Sequence, residues 1–348
     1  MEYPILNLGA IGFSATQRIA LTTSLLAQQS QSRNAKLGAG RCVWQMTDYR
    51  EANALVLNLA RSEEGPDKIL RFYSDPTHPN PIGVMVSELT VPFAIAHKAT
   101  GRPYDKLSRD MHFLDVDSYD SVLAALQYFE TQLFALRNLF AFAQLILERR
   151  GDLDIAKTYH LLRHTGLVAL IDVPQQWVWL RDGSEPGEID NCIWQTQPAT
   201  HNTPGEGFTP WTMEEAFWVF AQHSRPIKLP IRYLEHPIYF RRRLRVRAAL
   251  VQPRQLEILE QLSLKPLSYE DFQDIPTINL QRLKYDLYAF YMCRAITTDP
   301  RKVHSENLNS GHSSHAFGPS SQTAQGDAAP AARDTIPMGL QTGPMDLV

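Results

Sequence analysis

The sequence predicts an α/β amino-terminal domain on a parallel sheet. A long connecting helix, an α+β middle segment, a small basic helical module and a disordered tail follow. Three observations carry this. Short, almost wholly apolar runs alternate with a capped helix in the first hundred residues. An apolar repeat of four heptads occupies residues 117–151. The charge balance reverses after residue 225, with fifteen Lys and Arg against eight Asp and Glu over residues 225–302. At 348 residues the chain has room for two or three domains. We divide it at 1–115, 116–151, 152–235, 236–301 and 302–348.

Composition narrows the function classes. Hydrophobic residues make up 44% and charged residues 20%, enough to build packed cores. A net charge of −3 gives no global attraction to nucleic acid. No run is apolar and long enough to span a bilayer, so no membrane insertion is expected. The first residues, Met1-Glu2-Tyr3-Pro4, lack the basic-then-apolar pattern of a secretion signal. Cys42, Cys192 and Cys293 are few, odd in number and far apart, which points to reduced thiols and a cytoplasmic setting.

Residues 5–8 read as a buried strand, followed by the turn Gly9-Ala10-Ile11-Gly12. That turn lacks both nucleotide fingerprints and reads as a plain strand-to-helix connection. Ser14 with Gln17 forms a capping box that opens a helix to about residue 29, and 28–40 reads as loop. Residues 42–46, 54–59, 82–87 and 92–97 supply further strands. The run at 54–59 is apolar throughout, as strands covered on both faces are.

On these residues the first domain resembles the receiver domain of bacterial response regulators, in a degenerate form. The resemblance places Asn58 where the phosphoacceptor aspartate ends the third strand, Ser87 at the end of the fourth strand and Lys98 after the fifth. Arg102-Pro103 echoes the basic residue–proline pair. Leu8-Gly9-Ala10 stands where a receiver carries its acidic pair, so the resemblance implies no magnesium site and no acyl phosphate. It implies a pseudo-receiver that docks a signalling protein partner, with no cofactor.

The heptad stretch keeps Val122, Leu126, Phe129, Leu133, Leu136, Phe140, Ala143 and Leu147 on one face. Ser118 or Asp117 can cap its start, and Gly151 its end. A single helix over 117–151 would be roughly 50 Å long. It reads either as a core helix or as a connector whose seam, through Leu126, Phe129, Leu133, Leu136 and Phe140, forms a homodimer.

Residues 155–164 predict a shorter helix with His160 and His164 four apart on one face. Arg163 between them works against a cation, so no metal site is assigned. Residues 167–171 and 176–180 predict a hairpin, with Trp177 and Trp179 on one face of the second strand, read as core or domain interface. Asp182, Ser184 and Gly187 resemble one half of the PilZ motif for cyclic di-GMP. The R-x-x-x-R half is absent upstream, and ordinary turn chemistry explains the rest. Thr212 with Glu215 opens another capped helix.

The densest basic run is Tyr239-Phe240-Arg241-Arg242-Arg243-Leu244-Arg245-Val246-Arg247. Pro253 starts a helix, Ser268 with Asp271 caps a short one, and 279–291 predicts a third with Leu280, Leu283, Leu287 and Phe290 on its apolar face. With a strand at 294–298, this ordering resembles a winged helix. The resemblance implies a third helix presenting Asn279, Gln281, Arg282, Lys284 and Tyr285 to a groove. Arg241, Arg242, Arg243, Arg245 and Arg247 would then hold phosphates. Acidic Asp271, Asp274 and Asp286 dilute that field, and winged helices also dock proteins. The sequence therefore predicts a non-enzymatic signal-transduction protein acting by docking. The alternatives are a DNA-binding transcription regulator and a cyclic di-GMP effector. Residues 302–348 are too poor in large apolar groups to order themselves.

Overall fold

The computed structural model describes residues 3–34, 42–64, 69–73, 81–84, 89, 91–96, 112–164, 166–198, 204–225, 227, 229–275, 278 and 280–303. Ser87, Lys98, Asn279 and the predicted tail beyond 303 lie outside them.

The first domain is built on a five-stranded parallel sheet. Its strands are β1 (Ile5–Ile11), β2 (Val43–Thr47), β3 (Ala54–Asn58), β7 (Phe93–Ala96) and β8 (His112–Leu114), in the order β2-β1-β3-β7-β8. Pleating sends alternate side chains to opposite faces. Leu6, Leu8, Ala54 and Val56 meet the helices α1 (Ala15–Asn34) and α2 (Tyr119–Gln132) through Leu21, Leu25, Val122 and Phe129. Ile11, Leu55 and Leu57 enter a second core with Leu70, Phe72 and Val84.

That second core is roofed by a small antiparallel sheet of β4 (Ser62–Glu64), β5 (Leu70–Phe72) and β6 (Ile82–Val84). Of the strand predicted at 82–87, the described part Ile82–Val84 belongs to the roof. The fourth and fifth parallel strands are β7 and β8, where the receiver resemblance expected 82–87 and 92–97. The helix α1 is also longer than predicted, running to Asn34. Its Ser14–Gln17 box forms as read, with Gln17 N–H donating to Ser14 Oγ at 3.3 Å. Gly12 turns the chain at φ 80°, and a Cβ there would stand 2.9 Å from the Asn58 carbonyl oxygen.

The predicted single helix over 117–151 is two. Leu133, at ψ 19°, separates α2 from α3 (Phe134–Arg149). The apolar phase continues across the break, but the two halves enter different cores. Leu126 and Phe129 are buried in the first domain, with Leu133 packed against them. Phe140 is buried in the middle segment, and Leu136 touches both cores. Of the residues read as a dimer seam, Leu126, Phe129 and Phe140 are therefore interior to one chain, and Leu133 and Leu136 are partly buried against the same cores.

The middle segment is a five-stranded antiparallel sheet of β9 (Lys157–Arg163), β10 (Gly166–Asp172), β11 (Trp177–Arg181), β12 (Ile193–Pro198) and β13 (Phe208–Thr212). Its order is β12-β9-β10-β11-β13. The stretch predicted as a helix at 155–164 is β9. Pairing with β10 on one side and β12 on the other outweighs its helix-compatible spacing. His160 and His164 therefore do not share a helix face. The helices α3, α4 (Pro186–Asp190) and α5 (Met213–His223) pack into one core with this sheet.

The buried positions of α5 run all the way round it, as expected of a helix enclosed by protein. Met213, Ala216 and Val219 face the middle core. Trp218 and Ala221 face the third core, formed by α6 (Arg232–Glu235), β14 (Tyr239–Phe240), α7 (Pro253–Leu264), α8 (Leu280–Met292) and β15 (Ile296–Thr297). Among the described residues, the strand after α8 makes no wing with a following strand. It pairs with β14, which precedes the helices, as Tyr239↔Thr297 and Phe240↔Ile296.

A buried polar joint ties the third core to the first domain. Arg254 Nε lies 2.9 Å from Asp286 Oδ2, and Arg254 and Arg282 each approach Glu51 at 3.4 Å. Gln255 donates to Asp286 at 2.6 Å and Gln222 at 3.2 Å. Beside them, buried His223 Nδ1 donates to the Ile5 carbonyl at 2.7 Å, which fixes the neutral tautomer.

Candidate anion-binding surface

The arginine run crosses the molecule as irregular extended chain between β14 and α7. Two carboxylates from the first turn of α5 hold it, where the helix dipole favours negative charge. Glu214 binds Arg242 Nη1 at 2.7 Å and accepts the Arg245 N–H at 3.1 Å. Arg242 also donates to the Cys293 carbonyl at 2.6 Å. Glu215 accepts the Arg247 N–H at 3.1 Å and pairs with its Nε at 3.1 Å. The Arg247 guanidinium stacks 4.1 Å above the Trp211 ring and reaches the Pro210 carbonyl. Thr212 Oγ1 donates to the Arg245 carbonyl at 2.9 Å.

The run therefore divides by role. Arg242 and Arg247 are structural, each held by a glutamate. Arg243 and Arg245 are exposed and have no carboxylate partner among the described residues. Arg241 is half-buried, and its Nε is shielded from solvent without a hydrogen-bond partner. Its backbone N–H donates to the Ala295 carbonyl at 2.8 Å, which sets it beside Arg294. Burial, and then the positive charges of Arg294 and Arg242, push the Arg241 guanidinium pKa down. Arg294 is exposed and holds the left-handed conformation at φ 56°, uncommon for a residue with a Cβ. Nearby, the Arg232 guanidinium lies 5.6 Å from the centroid of the Tyr233 ring, and burial pushes that phenol up to about 12.

The other predicted residues are placed elsewhere. Arg282 is nearly buried at 12% side-chain exposure, ion-paired with Glu51, its guanidinium 4.8 Å from the Tyr285 ring. Lys284 is exposed. The helix α8 that carries both packs its apolar face into the third core, and Glu51 takes Arg282 out of the face expected to read a groove. Asn58 is buried at the carboxyl end of β3 and uses its side chain locally, accepting the Ala60 N–H at 3.1 Å. The Asp182–Gly187 region is knitted internally. Asp182 accepts from Thr209 at 2.6 Å, the Ser184 hydroxyl accepts from Arg181 at 3.2 Å, and the Ser184 carbonyl accepts from Asn138 at 2.6 Å.

Trp177 and Trp179 do share a face, with ring centroids 6.2 Å apart. That face is the outer one: Trp177 is 39% exposed, while Val178 and Leu180 fill the core behind it. No local signal in the sequence singles out Arg294 or Arg232. Nothing in an arginine codon position announces a left-handed backbone, and the β14–β15 pairing that gathers these residues is long-range.

Comparisons with protein-family models, with curated proteins and with solved structures found no match to this chain. Among the described residues no group of three His, Cys, Asp or Glu side chains is placed to hold a metal ion. No helix among them is long and apolar enough to cross a membrane.

Proposed function

We propose that the chain is a non-enzymatic regulatory protein of signalling type that acts by docking, and that Arg243 and Arg245 meet an acidic surface of its protein partner. One observation carries this reading. Glu214 and Glu215 fix the backbone at and after Arg245 through the amides of Arg245 and Arg247, and Glu214 holds the Arg242 side chain ahead of Arg243. The Arg243 and Arg245 guanidinium groups are exposed, with no carboxylate partner among the described residues. A charge displayed on a pre-ordered backbone loses less entropy on binding than one on a free loop. Such charges steer encounter and set specificity more than they add raw affinity.

The strand order β2-β1-β3-β7-β8 supports a receiver-like scaffold for the first domain, since the same doubly wound order occurs in receivers and flavodoxins. Asn58 in place of an aspartate fits a scaffold that does not turn over phosphate.

The test is cross-linking of the full chain to proteins of its native host, compared with an Arg243→Glu/Arg245→Glu variant and a Lys284→Glu control. Docking predicts specific partners that disappear with the double variant, persist with the control, and weaken as salt rises. Identical partner sets from all three proteins would overturn it. Salt-dependent binding of a random DNA duplex, lost only in the double variant, would move the reading to nucleic acid.

A further inference from the structure

Arg241 and Arg294 form a second basic feature, separate from the Arg243 and Arg245 display. The β14–β15 ladder brings them together: Phe240 pairs with Ile296, and the N–H groups of both Arg241 and Arg242 point at the Ala295 carbonyl. Four other arginines of the module are each matched by an acid. Arg242 has Glu214, Arg247 has Glu215, Arg254 has Asp286 and Glu51, and Arg282 has Glu51. Arg241 and Arg294 have none among the described residues.

Both carry a cost that folding alone does not repay. Arg241 hides an Nε–H from water with no acceptor, and a buried unpaired donor is unfavourable. Arg294 keeps a non-glycine side chain on a left-handed backbone. The Arg294 charge is near enough to push the Arg241 guanidinium pKa down. A structure optimised only for stability would carry glycine at 294 and a neutral residue at 241.

We propose that Arg241 and Arg294 bind a phosphate group of a small ligand. A carboxylate offers two oxygens in one plane and is satisfied by a single guanidinium fork. Two forks beside each other need an anion with more acceptor oxygens in several planes, and a phosphate supplies these. The shielded Nε of Arg241 then gains its missing acceptor. Arg232, against Tyr233 next to Arg241, extends the positive rim. Half-burial of Arg241 favours a compact ligand over a polymer. The chemistry is shared by free inorganic phosphates and by phosphodiesters of nucleotides, and the experiment separates them.

The test uses the full chain and isothermal titration calorimetry with inorganic phosphate, pyrophosphate and cyclic di-GMP, at low and physiological ionic strength. Saturable binding of one ligand per chain to at least one probe, surviving physiological salt, is the expected result. Pyrophosphate binding without the cyclic dinucleotide assigns an inorganic or terminal phosphate, and the reverse assigns a diester. Arg241→Gln and Arg294→Gly should each weaken binding about 10-fold or more, the loss of a charge-assisted hydrogen bond. Both variants should melt at or above the wild-type temperature, because each removes an unfavourable feature of the empty fold. A purely structural role predicts the opposite pair, lowered melting and unchanged binding. That pair, or the absence of saturable binding to all three probes, overturns the proposal. Loss of partner docking in the Arg243→Glu/Arg245→Glu variant bears on the earlier reading and leaves this site unaffected.

Discussion

Replacing Asp286 by asparagine tests the joint between the first and third cores most directly. The carboxylate is 1% exposed and receives Arg254 Nε at 2.9 Å. It also receives Arg254 Nη2 at 3.3 Å, Gln255 at 2.6 Å and Gln222 at 3.2 Å. Asparagine keeps one acceptor oxygen but turns an NH2 toward donors, and it removes the charge opposite a guanidinium whose side chain is 11% exposed. Leaving one member of a buried pair uncompensated costs about 3–5 kcal/mol. Arg254 retains Glu51 at 3.4 Å, which places the expected cost near the lower end. For a chain of this size that corresponds to a fall in Tm on the order of 10 °C. Urea titration followed by tryptophan fluorescence gives the free energy, with Trp218 in the third core and Trp44 in the first reporting on opposite sides. An Arg254→Met/Asp286→Leu double variant should recover a large part of the loss, since it removes both charges together. A cost below about 1 kcal/mol for Asp286→Asn, or a double variant as unstable as the sum of its parts, would refute the joint as the fastener of these cores.

Acid should loosen the same joint through His223. Burial holds that imidazole down at about 4, while an unfolded histidine titrates near 6.5, so the unfolded chain binds the extra proton first. Stability should therefore fall between about pH 6.5 and 4, by roughly 3 kcal/mol, and His223→Gln should flatten that slope in urea titrations run across the window. Asp190, which burial pushes up to about 6, acts with the opposite sign in the same window, so Asp190→Asn should steepen the fall. Gly12→Ala should destabilise by about 1–3 kcal/mol in thermal melts, because φ 80° strains any Cβ and the Asn58 carbonyl stands 2.9 Å from it. Phe140→Ala should cost about 3–5 kcal/mol by opening a cavity, with the mass measured by light scattering unchanged; a shift in mass without loss of stability would restore the residue to a dimer contact.

The local signals in the sequence translated well. Thr212 with Glu215 and Ser268 with Asp271 close their reciprocal hydrogen bonds as their spacing implies. Pro253 stands in the first turn of α7. The parallel character of β1, β2 and β3 followed from the strand–helix–strand order and the apolar run at 54–59. What failed was decided at long range. The heptad pattern does not break at Leu133, where no proline or glycine marks the turn. The two half-helices share a phase, and only the presence of two separate cores distinguishes them. The stretch at 157–163 carries apolar spacing compatible with either structure, and two strand neighbours settle it. The basic run located the charged surface but not its division of labour, because Glu214 and Glu215 lie some thirty positions upstream. Asp286, read as a dilution of positive field, is the centre of a buried network.

Arg247 has one more consequence, for behaviour at high concentration. The strand β13 is a rim of the middle sheet, and an open rim invites the same rim of another molecule to pair with it. Pro210 contributes no N–H to such a pairing, and Arg247 takes the Pro210 carbonyl and stacks on Trp211. The guanidinium thus blocks the rim sterically. The side chain that anchors the arginine run also keeps the protein from aggregating strand to strand, so losing it should show in solubility before it shows in any binding assay.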